Sequence, residues 1–286
     1  MNRVFVINPQ ARGGRARSLW QGLRTTVGPK ERVEHFGDPS GLVGQSFDEW
    51  VVVGGDGSVQ RAVEVLMQAK DAGRLERLPV LRVLPLGTGG DYAKGLLAGE
   101  PVPADLGRVS LAASAGGAAR YFANVASVGF SAQVAEAKER NPSWIPRGLA
   151  YLAPTLLQLR RAKPIELSVR SEDFRFEGRA WAVLICKGRW AGGGMRFGVD
   201  VGLSDGKFEV GIVEDFSVLE LLSKLPQLYL GGLRAQPGVI KARQAQLVIE
   251  AARPLSMDLD GEPLTTSRAD FGIVPASSSG LRVCRY

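Results

Sequence analysis

Histidine and cysteine are almost missing from this sequence. Among 286 residues there is one histidine, His35, and there are two cysteines, Cys186 and Cys284. A single histidine in a loop-like stretch gives poor support to a Ser-His-Asp triad or a histidine-based zinc centre. Two cysteines are too few for a disulfide framework, and theirs is not metal-ligand spacing. Both lie in apolar, strand-like runs, where a small buried hydrophobe is the simpler reading. A free pair of thiols fits a reducing compartment. No apolar run reaches the ~18 residues of a membrane-spanning helix, and Met1-Asn2-Arg3 leads directly into a strand with no signal-peptide pattern. No run of five or more like charges forms a basic tail, and neither a solenoid repeat nor a low-complexity segment is present. The expectation is a soluble, cytoplasmic protein whose membrane contact is peripheral.

What remains is an ordinary globular composition with a basic balance. Apolar residues make up 45% of the chain, enough for a sizeable core, and charged residues 23%. The net charge is +7 and the pI about 9.6. Such a surface suits nucleic acid, an anionic membrane or a phosphorylated ligand, and selects none of them.

The informative stretch is Trp50-Val51-Val52-Val53-Gly54-Gly55-Asp56-Gly57-Ser58-Val59-Gln60. Its start reads as a buried strand. After the glycines the period changes, so that Val59, Ala62, Val63, Leu66 and Met67 share a helical face. A strand, a glycine turn and a helix start leave backbone N–H groups pointing outward, an arrangement that suits an anion; a plain tight turn would look the same.

The pattern recurs on both sides. Val4 to Ile7 reads as a strand, followed by Asn8-Pro9, the turn Gly13-Gly14-Arg15 with Arg12 beside it, and a helix through Leu19, Trp20 and Leu23. This turn offers amides and guanidiniums to phosphate, or is a solvated basic loop. Arg32 to Phe36 is a weak strand. Val80 to Leu84 is a further strand, ended by Pro85, and Leu86-Gly87-Thr88-Gly89-Gly90-Asp91 is a third glycine turn. Strand–turn–helix units in succession imply a parallel sheet, with ligands at the carboxyl ends of its strands.

After a small, glycine-rich boundary near 112–119 the chain is dominated by strands. These are expected at 121–128, 165–170, 174–177, 180–186, 208–213, 245–249 and 255–259, with turns at Asp205-Gly206 and Asp260-Gly261. Residues 136–146 read as a loop and Pro146 to Leu159 as a helix. Ser217-Val218-Leu219-Glu220 has capping-box spacing. The proposed division is 1–118, an α/β domain, and 119–286, a β-rich domain, with the last strand free to return to the first. Neither a G-x-x-x-x-G-K-[ST] loop nor a complete G-x-G-x-x-G is present. An acidic residue inside a phosphate-facing turn suggests Mg²⁺ beside nucleotide phosphates, or a carboxylate that bonds neighbouring turn amides.

Gly54-Gly55-Asp56-Gly57-Ser58, Pro85-Leu86-Gly87-Thr88-Gly89-Gly90-Asp91 and Asp260-Gly261-Glu262 together resemble the diacylglycerol kinase catalytic family, which includes bacterial diacylglycerol, sphingosine and ceramide kinases. Ile7-Asn8-Pro9 with Gly13-Gly14-Arg15, Asn124 to Phe130, and Gly192-Gly193-Gly194 followed by Asp205-Gly206 extend the likeness over nearly the whole chain. The resemblance implies an NAD kinase-like α/β nucleotide domain, a C-terminal β-sandwich domain and an active site in the cleft between them.

It further implies ATP- and Mg²⁺-dependent transfer of a γ-phosphate to a lipid hydroxyl, with diacylglycerol first among the acceptors. Another substrate (a sphingoid base, another glycerolipid, NAD) or a non-catalytic homologue is the alternative. Glu262 would be the general base, a role a carboxylate can fill for a weakly acidic alcohol, and Asp56 would act near the phosphates and metal. Asn8, Gly13, Gly14, Arg15, Gly54, Gly55, Asp56, Gly57, Ser58, Val59, Gln60, Gly87, Thr88 and Gly89 would line ATP. A metal site would use Asp205 with the carbonyls of Gly202 and Lys207. The partners implied are ATP and a lipid at a membrane surface, with no nucleic acid; the sequence leaves open whether the chain forms a homodimer. Membrane-contact candidates are Trp144-Ile145 with Arg147, Trp190 with Arg189, and the leucine-rich 219–233.

This sequence departs from the family pattern in several places. Ser58 stands for threonine, Gly90 for asparagine, and Lys187-Gly188 for asparagine-glycine. Gly198 and Asp200 lie where a proline-alanine pattern is usual, and no threonine matches near Asp38.

Overall fold

The computed structural model describes residues 2–11, 14–24, 33–87, 90–111, 119–139, 162–198, 200–220, 223 and 238–286. Two large sheets organise them. The first is six-stranded, in the order β2-β1-β3-β4-β17-β5. Its members are β1 (Arg3–Ile7), β2 (Val33–Phe36), β3 (Glu49–Gly54), β4 (Val80–Pro85), β5 (Val102–Pro103) and β17 (Arg282–Arg285). β1 pairs in parallel with β2 and β3, β3 with β4, and β4 with β17; β5 is antiparallel to β17.

Alternation along the strands decides which helix covers which face. Val4, Val6, Trp50 and Val52 pack with Val59, Ala62, Val63 and Leu66 of α2 (Asp56–Asp71). Phe5, Ile7, Val51 and Val53 pack with Trp20 of α1 (Ala16–Leu23). Both faces are therefore apolar, and the strands read as continuous hydrophobic runs. Each fully buried valine contributes roughly 1.5–3 kcal/mol relative to exposure. The strand order reverses between β1 and β3, and in open α/β sheets ligands bind outside the carboxyl ends of the strands at such a point.

The second sheet has nine strands: β6 (Leu106–Leu111), β7 (Arg120–Phe122), β8 (Val125–Gly129), β9 (Ile165–Arg170), β10 (Arg175–Cys186), β13 (Phe208–Glu214), β14 (Val239–Gln244), β15 (Gln246–Leu259) and β16 (Glu262–Val274). β11 (Trp190–Ala191) and β12 (Met195–Arg196) form a separate ribbon. Further helices are α3 (Asp91–Lys94), α4 (Phe130–Glu139) and α5 (Ala276–Ser279), with a 3₁₀ helix at Pro39–Leu42 and a helix start at 218–220.

The main path of the sheet runs β14-β13-β10-β8-β15-β16-β6-β7, and β9 bridges β10 and β15. It folds over a core that includes Phe122, Phe208 and Phe271, with the Phe122 and Phe208 rings stacked at 5.7 Å. An α/β layer followed by a β-sandwich is the architecture expected from the sequence.

Several boundaries differ from the expectation. The segments 174–177 and 180–186 are one strand, because β9 pairs with Arg175 to Ala180 straight through Gly178. The segments 245–249 and 255–259 are also one strand, shifted in register between Glu250 and Leu255 around Pro254. The stretch 121–128 breaks into β7 and β8 at Ala123-Asn124, and 136–139 belongs to α4. The expected helix at 146–159 lies outside the described residues.

The chain passes between the sheets twice, outward between β5 and β6 at Asp105 and back between β16 and β17 through α5. The two passages touch, since Asp105 Oδ1 accepts the Ala276 amide at 2.9 Å.

Candidate active site

The first and second glycine turns meet at the carboxyl ends of β1 and β3. Asn8 Nδ2 donates to Ser58 Oγ at 3.0 Å, and Asn8 Oδ1 accepts the Gln10 amide at 3.0 Å. Gly14 has φ +86°, its amide donates to Gln10 O at 3.1 Å, and Arg15 is the N-cap of α1. The turn after β3 is locked to the turn after β4: the amides of Leu86 and Gly87 both donate to Gly54 O at 3.0 Å. A Cβ on Gly87 would lie 2.2 Å from Gly55 Cα, so the close approach of these backbones requires glycine. Gly57 differs, because a Cβ there would meet nothing within 4 Å. α2 starts at Asp56 without a side-chain cap, and uncapped N–H groups at a helix start suit an anion. Gly13, Thr88 and Gly89 lie outside the described residues.

Asp56 turns toward the third motif. Its Oδ2 accepts the Asp91 amide at 3.1 Å and its Oδ1 the Tyr92 amide at 2.9 Å. Burial raises its carboxyl above the usual carboxylate range; the two amides act against this, and the Asp91 charge adds to the rise. Asp91 in turn reaches the second half of the chain, its Oδ2 accepting the Gly193 amide at 2.7 Å. Val59 is in the core, and Gln60 is fully buried with Nε2 donating to Tyr121 O. Both therefore point along α2 toward its packing surfaces.

The Asp260-Gly261 turn joins β15 to β16 as a two-residue hairpin, with Leu259 paired to Glu262. Both turn residues have positive φ, +51° and +103°, the combination that favours Asp-Gly. The Asp260 carboxylate accepts the consecutive amides of Ala123 (2.7 Å), Asn124 (3.1 Å) and Val125 (2.7 Å). Burial pushes its pKa up to about 7 against those hydrogen bonds, and the Asp56 charge pushes the same way.

Glu262 opens β16 and is half-buried. Arg120 Nη2 lies 2.5 Å from its Oε2. The same guanidinium binds Glu64 of α2 through Nε to Oε1 and through Nη2 to Oε2 at 3.3 Å. Glu64 is 3% exposed, against 39% for Glu262. Glu262 is thus tied to the helix that begins at the central glycine turn. Sequence reasoning missed Arg120, because an isolated basic residue beside a glycine-rich boundary carries no local signal.

The expected metal ligands lie in the loop between β12 and β13. Lys187 Nζ sits among them, 2.8 Å from Gly202 O, 2.7 Å from Asp205 Oδ1 and 3.5 Å from Lys207 O. Asp205 is drawn up by burial, but Lys187 and the Gly202 amide more than offset this and hold it below the usual value. Among the described residues no three histidine, cysteine or acidic side chains are grouped to hold a metal. Cys186 and Cys284 are buried and free. No described helix is long and apolar enough to cross a membrane.

Comparison with known proteins gives a match for each half of the chain. Residues 2–115 match the family described as "Diacylglycerol kinase catalytic domain", and residues 124–283 match "YegS C-terminal NAD kinase beta sandwich-like domain". A relative from Xanthomonas euvesicatoria pv. vesicatoria (strain 85-10), named "Probable lipid kinase YegS-like", is 32% identical over 259 residues, covering 84% of this chain and 82% of its own. A diacylglycerol kinase crystal structure from Bacillus anthracis str. Sterne superposes with a TM-score of 0.68 at 16% identity, covering 99% of this chain and 96% of its own. Yeast NADH kinase shares the fold at a TM-score of 0.53 and 10% identity, over 100% of this chain and 84% of its own. The first half thus carries the catalytic-domain match and the second the sandwich match, and the chain belongs to the YegS-like lipid kinase family, built on a diacylglycerol kinase catalytic domain.

Proposed function

We propose that this protein transfers the γ-phosphate of ATP, with Mg²⁺, to the hydroxyl of diacylglycerol, giving phosphatidic acid and ADP. The observation that carries the reading is the link from Glu262 through Arg120 to Glu64. It brings a carboxylate from the sandwich to the helix whose N-terminus opens at the central glycine turn.

In this reading the amides at the start of α2 and the turns at Gly54 to Ser58 and Gly87 cradle the phosphates, with Asn8, Gly14 and Arg15 at the edge. Asp56 suits a divalent ion that keeps most of its waters, because it offers one carboxylate beside phosphates that supply the other oxygens. When bound there, Mg²⁺ neutralises charge on the phosphates. Glu262 accepts the proton of the lipid hydroxyl as the oxygen–phosphorus bond forms and the bond to the β-phosphate oxygen breaks. Arg120 orients Glu262 before the lipid arrives.

Membrane access fits the exposed side chains and the basic balance. Leu219 is 79% and Leu97 74% exposed, and the net charge of +7 favours an anionic surface. Ser217 and Glu220 form the reciprocal capping box, with Ser217 N to Glu220 Oε2 at 2.9 Å and Glu220 N to Ser217 Oγ at 3.3 Å. They start a helix just where Val218 and Leu219 are exposed. Of the other contact candidates, Trp190 carries Arg196 over its ring at 5.8 Å, Arg189 donates to Val201 O at 3.0 Å, and 144–147 lies outside the described residues.

The test is labelled ATP with Mg²⁺ against diacylglycerol, a sphingoid base and NAD, the lipids presented in anionic vesicles at low and high salt. Labelled phosphatidic acid is expected, with vesicle binding that weakens as salt rises. Labelling of NAD alone, or of nothing, overturns the reading.

A further inference from the structure

The buried ammonium of Lys187 lies among oxygen atoms that would otherwise suit a divalent cation. The residue follows directly after β10, and its amide is pinned to Asn124 O at 2.8 Å. Its side chain is only 1% exposed. Around Nζ stand Asp205 Oδ1 at 2.7 Å, Gly202 O at 2.8 Å, Asp105 Oδ2 at 3.3 Å and Lys207 O at 3.5 Å. Two carbonyls and two carboxylates converging on one point are hard oxygen ligands of the kind Ca²⁺ and Mg²⁺ take. An ammonium offers three donors to the same set and is rarely buried without such partners.

The position is already filled by charge and by volume. A divalent ion bound to Gly202 O and Asp205 would stand where Nζ stands, so the lysine would have to leave. Asp205 is further occupied by Arg243, whose Nη2 is 2.5 Å from Oδ2. The residues present therefore do not fit the metal site that the family resemblance implies at Gly202, Asp205 and Lys207.

The network also spans the two passages between the sheets. Asp105 stands on the outward passage, its Oδ1 accepting the Ala276 amide on the return passage at 2.9 Å and its Oδ2 the Gly206 amide at 2.8 Å. Lys187 ties this residue to the 202–207 loop.

We propose that Lys187 is an internal substitute for a divalent cation: its ammonium fixes the 202–207 loop to Asp105 and the paired passages, so that this half of the protein needs no metal. The inference does not rest on the kinase reading, and its test reads stability instead of turnover.

Thermal unfolding of the nucleotide-free full-length protein is measured in EDTA and in 5 mM CaCl₂ or MgCl₂. The wild type is expected to show no shift, or only a shift that Asp205→Asn leaves unchanged. Lys187→Asn shortens and neutralises the side chain and opens the oxygen cluster. It is expected to melt lower in EDTA and to recover by roughly 5 °C in calcium, a gain abolished by adding Asp205→Asn. A calcium shift in the wild type that Asp205→Asn removes would overturn the proposal. So would a folded Lys187→Asn protein that calcium does not stabilise. Should Lys187→Asn fail to fold under every condition, the wild-type and Asp205→Asn comparison decides by itself.

Discussion

Arg120 holds Glu262 from one side and Glu64 from the other, with Nη2 2.5 Å from Glu262 Oε2 and 3.3 Å from Glu64 Oε2. One carboxylate opens the second strand of the β15–β16 hairpin and the other belongs to the nucleotide-side helix. The guanidinium therefore sets the distance between the proposed base and the proposed donor site, and it gives the proposed chemistry a structural dependence that single-residue motifs do not show.

Glu262→Gln is expected to lower kcat by about 10²–10⁴-fold, the usual contribution of a positioned base. Glutamine keeps the shape and still accepts a hydrogen bond from Arg120. ATP affinity by calorimetry and the melting temperature should stay close to wild type. Retention of full turnover would remove Glu262 from the role of base.

Arg120→Ala is expected to reduce both stability and turnover. It leaves Glu64, 3% exposed, as a buried carboxylate without that guanidinium, a change that costs about 3 kcal/mol when a buried pair is broken. Adding Glu64→Gln should restore much of the stability and none of the turnover. Denaturant unfolding of the single and double variants, with kcat measured on each, separates the two effects.

Asp260 gives a signed pH dependence. Its folded pKa is raised to about 7 by burial, with Asp56 adding to the rise, above the ~3.9 of an unfolded aspartate. The folded state therefore holds this proton more tightly. The stabilisation is fully present below about pH 4 and is lost as pH rises through about 7. Asp56→Asn removes one of the charges that raise the pKa and should move the midpoint downward. Carboxyl carbon chemical shifts followed by NMR, together with melting temperature against pH, check both statements.

The two glycines of the cradle should behave differently. Gly87→Ala drives a Cβ to 2.2 Å from Gly55 Cα, backbone against backbone, and is expected to cost about 1–3 kcal/mol or more. Gly57→Ala meets nothing within 4 Å and lies in the first turn of a helix, where alanine loses less backbone entropy on folding than glycine. It should fold at least as well as wild type and bind ATP more weakly if a phosphate occupies the space that glycine leaves. Unfolding curves and nucleotide titrations on the two variants give the comparison.

Much of the first half was legible because its signals are local. Val51 to Val53 read as a strand buried on both faces, and α1 and α2 cover it as the alternation requires. Asp260-Gly261 read as a turn, and its two positive φ angles are those an Asp-Gly hairpin adopts. Ser217 and Glu220 read as a capping box and bond reciprocally. The breaks inside the sandwich were less legible. Gly178 and Pro254 look like strand ends, yet neighbouring strands carry the pairing past each of them. The separation of β7 from β8 also depends on a distant residue, Asp260, which collects the amides of the intervening turn.

By itself, the order of residues determined the α/β-then-β architecture, the glycine turns at the carboxyl edge of the first sheet and the Asp260-Gly261 turn before Glu262, since periodicity and turn chemistry act over a few residues. Only the tertiary structure decided that Gly55 and Gly87 touch, that Arg120 joins Glu64 to Glu262, and that Lys187 stands among Asp105, Gly202 and Asp205. Each of those contacts brings together residues from separate strands, helices and loops, and a buried charge takes its partner from whatever packing brings within hydrogen-bond reach, which no local pattern records.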